Sequence, residues 1–255
     1  MTDAPRTLLL PREGYRGLDS LSLALIRRPA DLPGLLAAFR RLAAEHPGGR
    51  CYLTLDDVNQ CAYTAGHARE KYALAAGIDY PEEDGAEALA RFDAAIFAAS
   101  ARALRDPARA VAWEDLRADP GDEEDIAILR RLNDNPEVLV EEVHVVQRVP
   151  SDVDEDLLAS LPNGYFDGDR TPFDCAAIIR RLVSRHGYAL LGIGASTLAF
   201  HRTGAAPADI PKLLADLRHL YGAPDSAHWE GLARRLATSD LLILGYTENV
   251  ADLLD

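Results

Sequence analysis

Lysine is nearly missing from this chain. Of 27 basic residues only Lys71 and Lys212 are lysines, and 41 acidic residues leave a net charge of −14. So acidic a surface repels phosphate backbones and anionic headgroups, which need a basic footprint, so no nucleic-acid partner is expected. Cysteine is scarce too. Cys51, Cys61 and Cys175 are an odd number without CxxC spacing, which argues against a disulfide scaffold or zinc ribbon and fits a reducing cytosol. No apolar run approaches the ~20 residues of a membrane helix. Residues 1–14, MTDAPRTLLLPREG, lack the basic start and apolar core of a signal peptide. The expected location is cytoplasmic, away from membranes. The Ala-rich, arginine-over-lysine composition is what a GC-rich bacterial genome encodes.

Local signals are dense in residues 163–202. Thr171 suits a helix N-cap, Pro172 the first helical position and Asp174 the third, as in a capping box. Phe173, Ala176, Ile179, Leu182 and Val183 form one apolar stripe at helical spacing. Gly187 is placed to end the helix in the left-handed conformation. Residues 188–193 and 197–202 read as two strands joined by a glycine-bearing turn.

The segment that follows resembles one near the N-terminus. Pro207–Leu220 aligned on Pro29–Leu42 gives nine identities in fourteen, and the apolar positions coincide. Each helix is preceded by a strand and followed by another apolar run. The chain therefore reads as an α+β protein in which two similar strand–strand–helix–strand units, 5–56 and 187–247, contribute to a mixed sheet. Residues 57–135 form a helical insertion between them. A long strand, 138–149, and a short helix occupy 136–162, and residues 163–255 hold the acidic turn, its helix and the second unit. Without a low-complexity linker, one compact body over 1–255 is expected.

Complete catalytic motifs are wanting. Asp167-Gly168-Asp169 with Asp174 has the carboxylates of a cation loop but not the twelve-residue EF-hand pattern, so a tight turn is the plainer reading. Gly192-Ile193-Gly194-Ala195-Ser196 is followed by a strand, so neither a phosphate loop nor a nucleophile elbow fits. The seven histidines form no HxH or HExxH; no metal or cofactor is expected. Cys175, in a helix's first turn, has no base nearby.

If a site exists, the polar copy of the duplicated scaffold should carry it. His201 stands where the first copy has Ile26. The candidate binding residues are therefore Tyr165, Asp167, Asp169, Arg170, His201 and Arg202. Glu142 and His144 share one face of the long strand and would join if it paired with the strand of His201. The favoured function is a non-enzymatic acidic protein that binds a basic protein partner, as an immunity or regulatory protein would. The alternatives are a small-molecule or metal-dependent enzyme with its site around 165–170 and His201, and a structural subunit of a larger assembly. The last of these would use an edge strand for pairing, and a homodimer stays open.

Overall fold

Among the described residues, seven short strands build one mixed sheet: β1 (Arg6–Leu9), β2 (Ser22–Arg27), β3 (Arg50–Thr54), β4 (Val143–Val149), β5 (Tyr188–Ile193), β6 (Thr197–Arg202) and β7 (Leu241–Gly245). The computed structural model describes residues 6–11, 17–116, 123–202, 204, 209–247 and 250–254. The strand order is β1-β2-β4-β3-β5-β6-β7. The β3–β5 pair is parallel and the others are antiparallel. Among the described residues, eight helices accompany the sheet in an α+β fold: α1 (Leu32–Glu45), α2 (Val58–Lys71), α3 (Ala86–Leu104), α4 (Glu123–Asp134), α5 (Asp154–Ser160), α6 (Pro172–His186), α7 (Ile210–Tyr221) and α8 (His228–Thr238).

Both faces of the sheet are buried, and the alternation along each strand decides which core a residue joins. Leu242 and Leu244 face one core with Phe200 and Tyr52; Ile243 faces the other with Ala199 and Leu53. The first core takes the apolar stripes of α6, α7 and α8. The second takes α1, through Leu32, Leu35, Phe39 and Leu42.

That division separates the two similar segments. Both contribute strands to the sheet, but α1 and α7 dock on opposite faces. Their third strands also differ in sense. β3 runs parallel to β2 with β4 inserted between them, whereas β7 lies beside β6 and antiparallel to it, because α8 sends the chain back once more. The shared sequence has a local cause. Asp31 caps α1 by accepting from the Gly34 amide, Asp209 caps α7 by accepting from Lys212, and each helix has proline in its first two positions. An N-cap aspartate, an early proline and an apolar stripe are what any sheet-covering helix needs. Pro207 and Ala208, which open the second copy, lie outside the described residues.

The long strand is shorter than its β-branched run predicts. Residues 136–139 form a 3₁₀ turn, and pairing starts at Val143. Tertiary demands outweigh β-propensity here. The turn buries Leu139 in the second core and brings the Glu137 carboxylate to the amide of Leu32, 2.9 Å away at the start of α1.

At α6 the capping box is complete. Thr171 Oγ1 accepts from the Asp174 amide at 3.2 Å, and Asp174 Oδ2 accepts from the Thr171 amide at 2.8 Å. Gly187 closes the helix at φ +68°. Thr171→Ala is expected to cost about 0.5–2 kcal/mol, read as a lower urea midpoint with an unchanged slope. A midpoint equal to wild type would show that the cap contributes nothing.

Candidate functional site

The parallel pair β3–β5 places two strand ends side by side, and the chain leaves both in polar loops. Asp56 follows β3 and Gly194 follows β5. The carboxyl end of β7 and the start of β6 lie at the same edge of the sheet, as the pairing requires. In open sheets the crevice beyond such carboxyl ends is where ligands are received.

Asp56 is 1% exposed. Its carboxylate accepts from the Thr197 hydroxyl at 3.0 Å and from the Ser196 amide at 3.3 Å. Burial pushes this carboxyl up to about 6, although those donors hold it back. A Cβ on Gly194 would sit 1.9 Å from Asp56 Oδ1, so only glycine lets the two strand ends approach this closely. The Gly194 carbonyl takes hydrogen bonds from Asn163 Nδ2 at 2.8 Å and from the Tyr246 hydroxyl at 2.6 Å. Thr64 of α2 donates to Asn163 Oδ1 at 2.7 Å. A buried polar network thus fixes the loops after β3, β5 and β7 to one another and to α2.

Asn163 also begins the acidic turn, and so draws it to this edge. The turn folds back at Gly164, φ +90°, where a Cβ would lie 2.1 Å from the Arg170 carbonyl. Asp169 Oδ2 accepts from the Phe166 amide at 3.0 Å, and the Arg170 amide donates to the Tyr246 carbonyl. Lys71 at the end of α2 bonds both Asp167 Oδ1 and the Tyr165 carbonyl at 2.8 Å.

Two cavities flank this turn. One, about 350 Å³, is lined by Asp56, Asp57, Asp252, Gln60, Ser196 and Phe166. The other, about 490 Å³, is lined by Asp115, Asp125, Asp174, Arg170 and Tyr221. Asp169 and Thr247 belong to both. Arg170 is a strut: its guanidinium donates to the carbonyls of Leu220 and Leu116, at 2.6 and 3.4 Å, and lies over Tyr221. The Thr247 hydroxyl oxygen is buried without a hydrogen-bond partner among the described residues. Although carboxylates line both cavities, the described residues contain no group of three or more ligating side chains that could hold a metal ion. Beside the first cavity the rings of Tyr63, His67, Tyr165 and Phe166 follow one another with centroids 4.4–5.1 Å apart. Tyr63 and Phe166 are exposed.

Tyr165, Asp167, Asp169 and Arg170 stand together in the acidic turn. The remaining candidates do not join them. His201 and Arg202 end β6, whereas the acidic turn lies by its first residue, a strand length of about 15–20 Å away. Arg202 is held there by Asp240 at 2.7 Å and the Ser239 carbonyl at 3.1 Å. Burial, helped by Arg40 and Arg50, pulls His201 below its usual value. Glu142 and His144 are kept from His201 because β3 and β5 separate β4 from β6. His144 is completely buried and fixed in one tautomer. Its Nε2 accepts from the Glu141 amide at 3.0 Å, so its Nδ1 carries the proton donated to the Thr54 carbonyl at 2.8 Å. Burial also pushes the Cys175 and Cys61 thiols up, away from thiolate character.

Sequence reasoning missed Asp56, Asn163, Thr197 and Tyr246. The available signal was an aspartate directly after the apolar run Cys51–Leu55, one position before the helix-capping Asp57. Compared with known proteins, the chain matches no family model, no curated protein and no solved structure.

Proposed function

We propose that this chain is a binding protein whose acidic cleft receives a basic segment of a partner protein. The observation that carries this reading is the pair of adjoining cavities that share Asp169 and are lined by six further aspartates. Arg170, the cation among them, donates to backbone carbonyls. A partner's lysine or arginine would add positive charge to this carboxylate-lined cleft. The exposed rings of Tyr63 and Phe166, beside that charge, offer the aromatic faces on which such cations rest. Asp56 at the base adds a pH dependence. A bound cation favours its ionised form, so affinity is lost as pH falls through about 6.

The test uses a fluorescent oligo-arginine peptide and the full chain, followed by anisotropy. Binding should weaken with added salt. Asp169→Asn and Phe166→Ala should each reduce affinity roughly tenfold, the loss of one charge-assisted or cation–π anchor. The exposed control Glu87→Ala should match wild type. Equal losses in Asp169→Asn and Glu87→Ala, with Phe166→Ala unchanged, would mean that net charge alone attracts the peptide, and the cleft would not be the site.

A further inference from the structure

A third cavity, apart from the acidic cleft, lies where α2, α3 and the end of α5 meet the loop before β2. It measures about 250 Å³, below the ~300–1,000 Å³ of sites for drug-sized ligands, so its occupant is small. The walls are apolar: Leu18, Leu21, Ala65, Ile96 and Phe97. The polar groups carry both signs. Arg69 Nη2 donates to the Ser160 carbonyl, and Ser160 is held in turn by the Tyr52 hydroxyl, 2.8 Å from its Oγ. Arg69 Nε is buried and has no hydrogen-bond partner among the described residues.

Asp19 and Asp93 line the same cavity and favour the Arg69 charge. Their bonds are to other groups. Asp19 Oδ1 accepts from the Leu21 amide at 2.9 Å and from Gln147 Nε2 at 3.2 Å, and Asp93 Oδ2 accepts from the Ser20 amide at 2.8 Å. One oxygen of each carboxylate is outside these bonds. The site therefore offers a fixed donor that needs an acceptor and carboxylates with capacity for further donors.

We infer that this cavity binds a free α-amino acid with an apolar side chain. Its carboxylate accepts from Arg69 Nε, its ammonium sits between Asp19 and Asp93, and its side chain packs on Leu21, Ile96 and Phe97. A plain carboxylic acid would meet the two aspartates without neutralising them. A plain amine would leave the Arg69 donor buried and unpaired, which is costly. Only a ligand with both groups satisfies both.

The experiment is calorimetric titration of the full chain with L-leucine, L-isoleucine and L-phenylalanine. Saturable binding of at least one is expected. Its relatives lacking the ammonium or the carboxylate, such as 4-methylpentanoate and 3-methylbutylamine for leucine, should bind roughly tenfold or more weakly, one charge-assisted contact each. Asp93→Asn should weaken binding. Ala62→Trp, at an exposed position on the cavity wall that leaves the polar floor untouched, should abolish it. No heat with any of the three amino acids overturns the assignment. So does equal affinity for the carboxylate-only analogue, or full binding by folded Ala62→Trp.

Discussion

Asp216→Asn lowers the stability of this protein by about 2–3 kcal/mol at neutral pH and loosens the attachment of its helical insertion. Asp216 is 7% exposed and takes a forked pair of hydrogen bonds from Arg181 Nε and Nη2, both 2.7 Å, with His186 Nε2 at 2.8 Å. Removing one partner of a fully buried ion pair costs about 3–5 kcal/mol; the 23% exposure of the Arg181 side chain lets water recover part of it. The effect spreads because Arg181 also lies over the Trp113 ring at 4.7 Å, while His219 stacks on that ring and bonds the Trp113 carbonyl. Residues 113–116, in the insertion, are thereby tied to α6 and α7.

The pH dependence has a definite sign. Burial pushes the Asp216 carboxyl up, but the hydrogen bonds from Arg181 and His186 outweigh it and leave the group below its ordinary value. A carboxyl depressed on folding stabilises fully above its unfolded value, about pH 4, and loses that contribution as pH falls through the folded value. Urea midpoints of wild type and Asp216→Asn should therefore differ at pH 7 and converge in acid, with Trp113 emission altered in the variant. Midpoints that coincide at pH 7 would reduce the network to surface decoration.

Features settled within one helical turn or one strand were legible in the sequence. Thr171, Pro172 and Asp174 specify the start of α6 by their own hydrogen bonds and torsions, and the stripe of Phe173, Ala176, Ile179 and Leu182 specifies its buried face. Neither depends on knowing what lies across the core. Strand order does. Nothing local states that β4 inserts between β2 and β3, yet that insertion separates His144 from His201. The comparison of His201 with Ile26 failed for a related reason. It treated α1 and α7 as one scaffold, when their likeness reflects the shared requirements of capping and of covering a sheet.

The acidic turn was legible as a polar element because its composition is unusual. Its neighbours were not, since Asp56, Thr197 and Tyr246 each read as an ordinary strand end. They become a network only when the parallel pairing of β3 with β5 sets Leu53 against Gly192 and brings Asp56 beside Ser196. Long-range register made that site, and register is a property of the assembled sheet.

Asn133→Ala should be at least as damaging as the loss of Asp216, by about 2–6 kcal/mol, since two buried backbone groups would each be left unsatisfied at roughly 1–3 kcal/mol. β7 is the last strand of the sheet, and an open edge would invite pairing with another chain. α4 covers it with a side-chain amide. Asn133, 3% exposed, donates from Nδ2 to the Ile243 carbonyl at 2.8 Å and accepts from the Ile243 amide through Oδ1 at 2.9 Å. Nδ2 also reaches the Leu129 carbonyl at 2.8 Å, and Arg235 Nε donates to the Asn133 carbonyl at 2.7 Å, which fixes α4 to α8. The amide thus acts as one residue of an eighth strand. Alanine removes both bonds at once, and aspartate keeps the acceptor while losing the donor. Asn133→Asp should therefore strand the Ile243 carbonyl and bury a charge, and be no better tolerated. Sedimentation of Asn133→Ala at rising concentration should reveal dimers paired through the uncovered edge, alongside a lowered urea midpoint. A variant that stays monomeric and within about 0.5 kcal/mol of wild type, the range of an ordinary surface change, would show that apolar packing of α4 protects the edge without the amide.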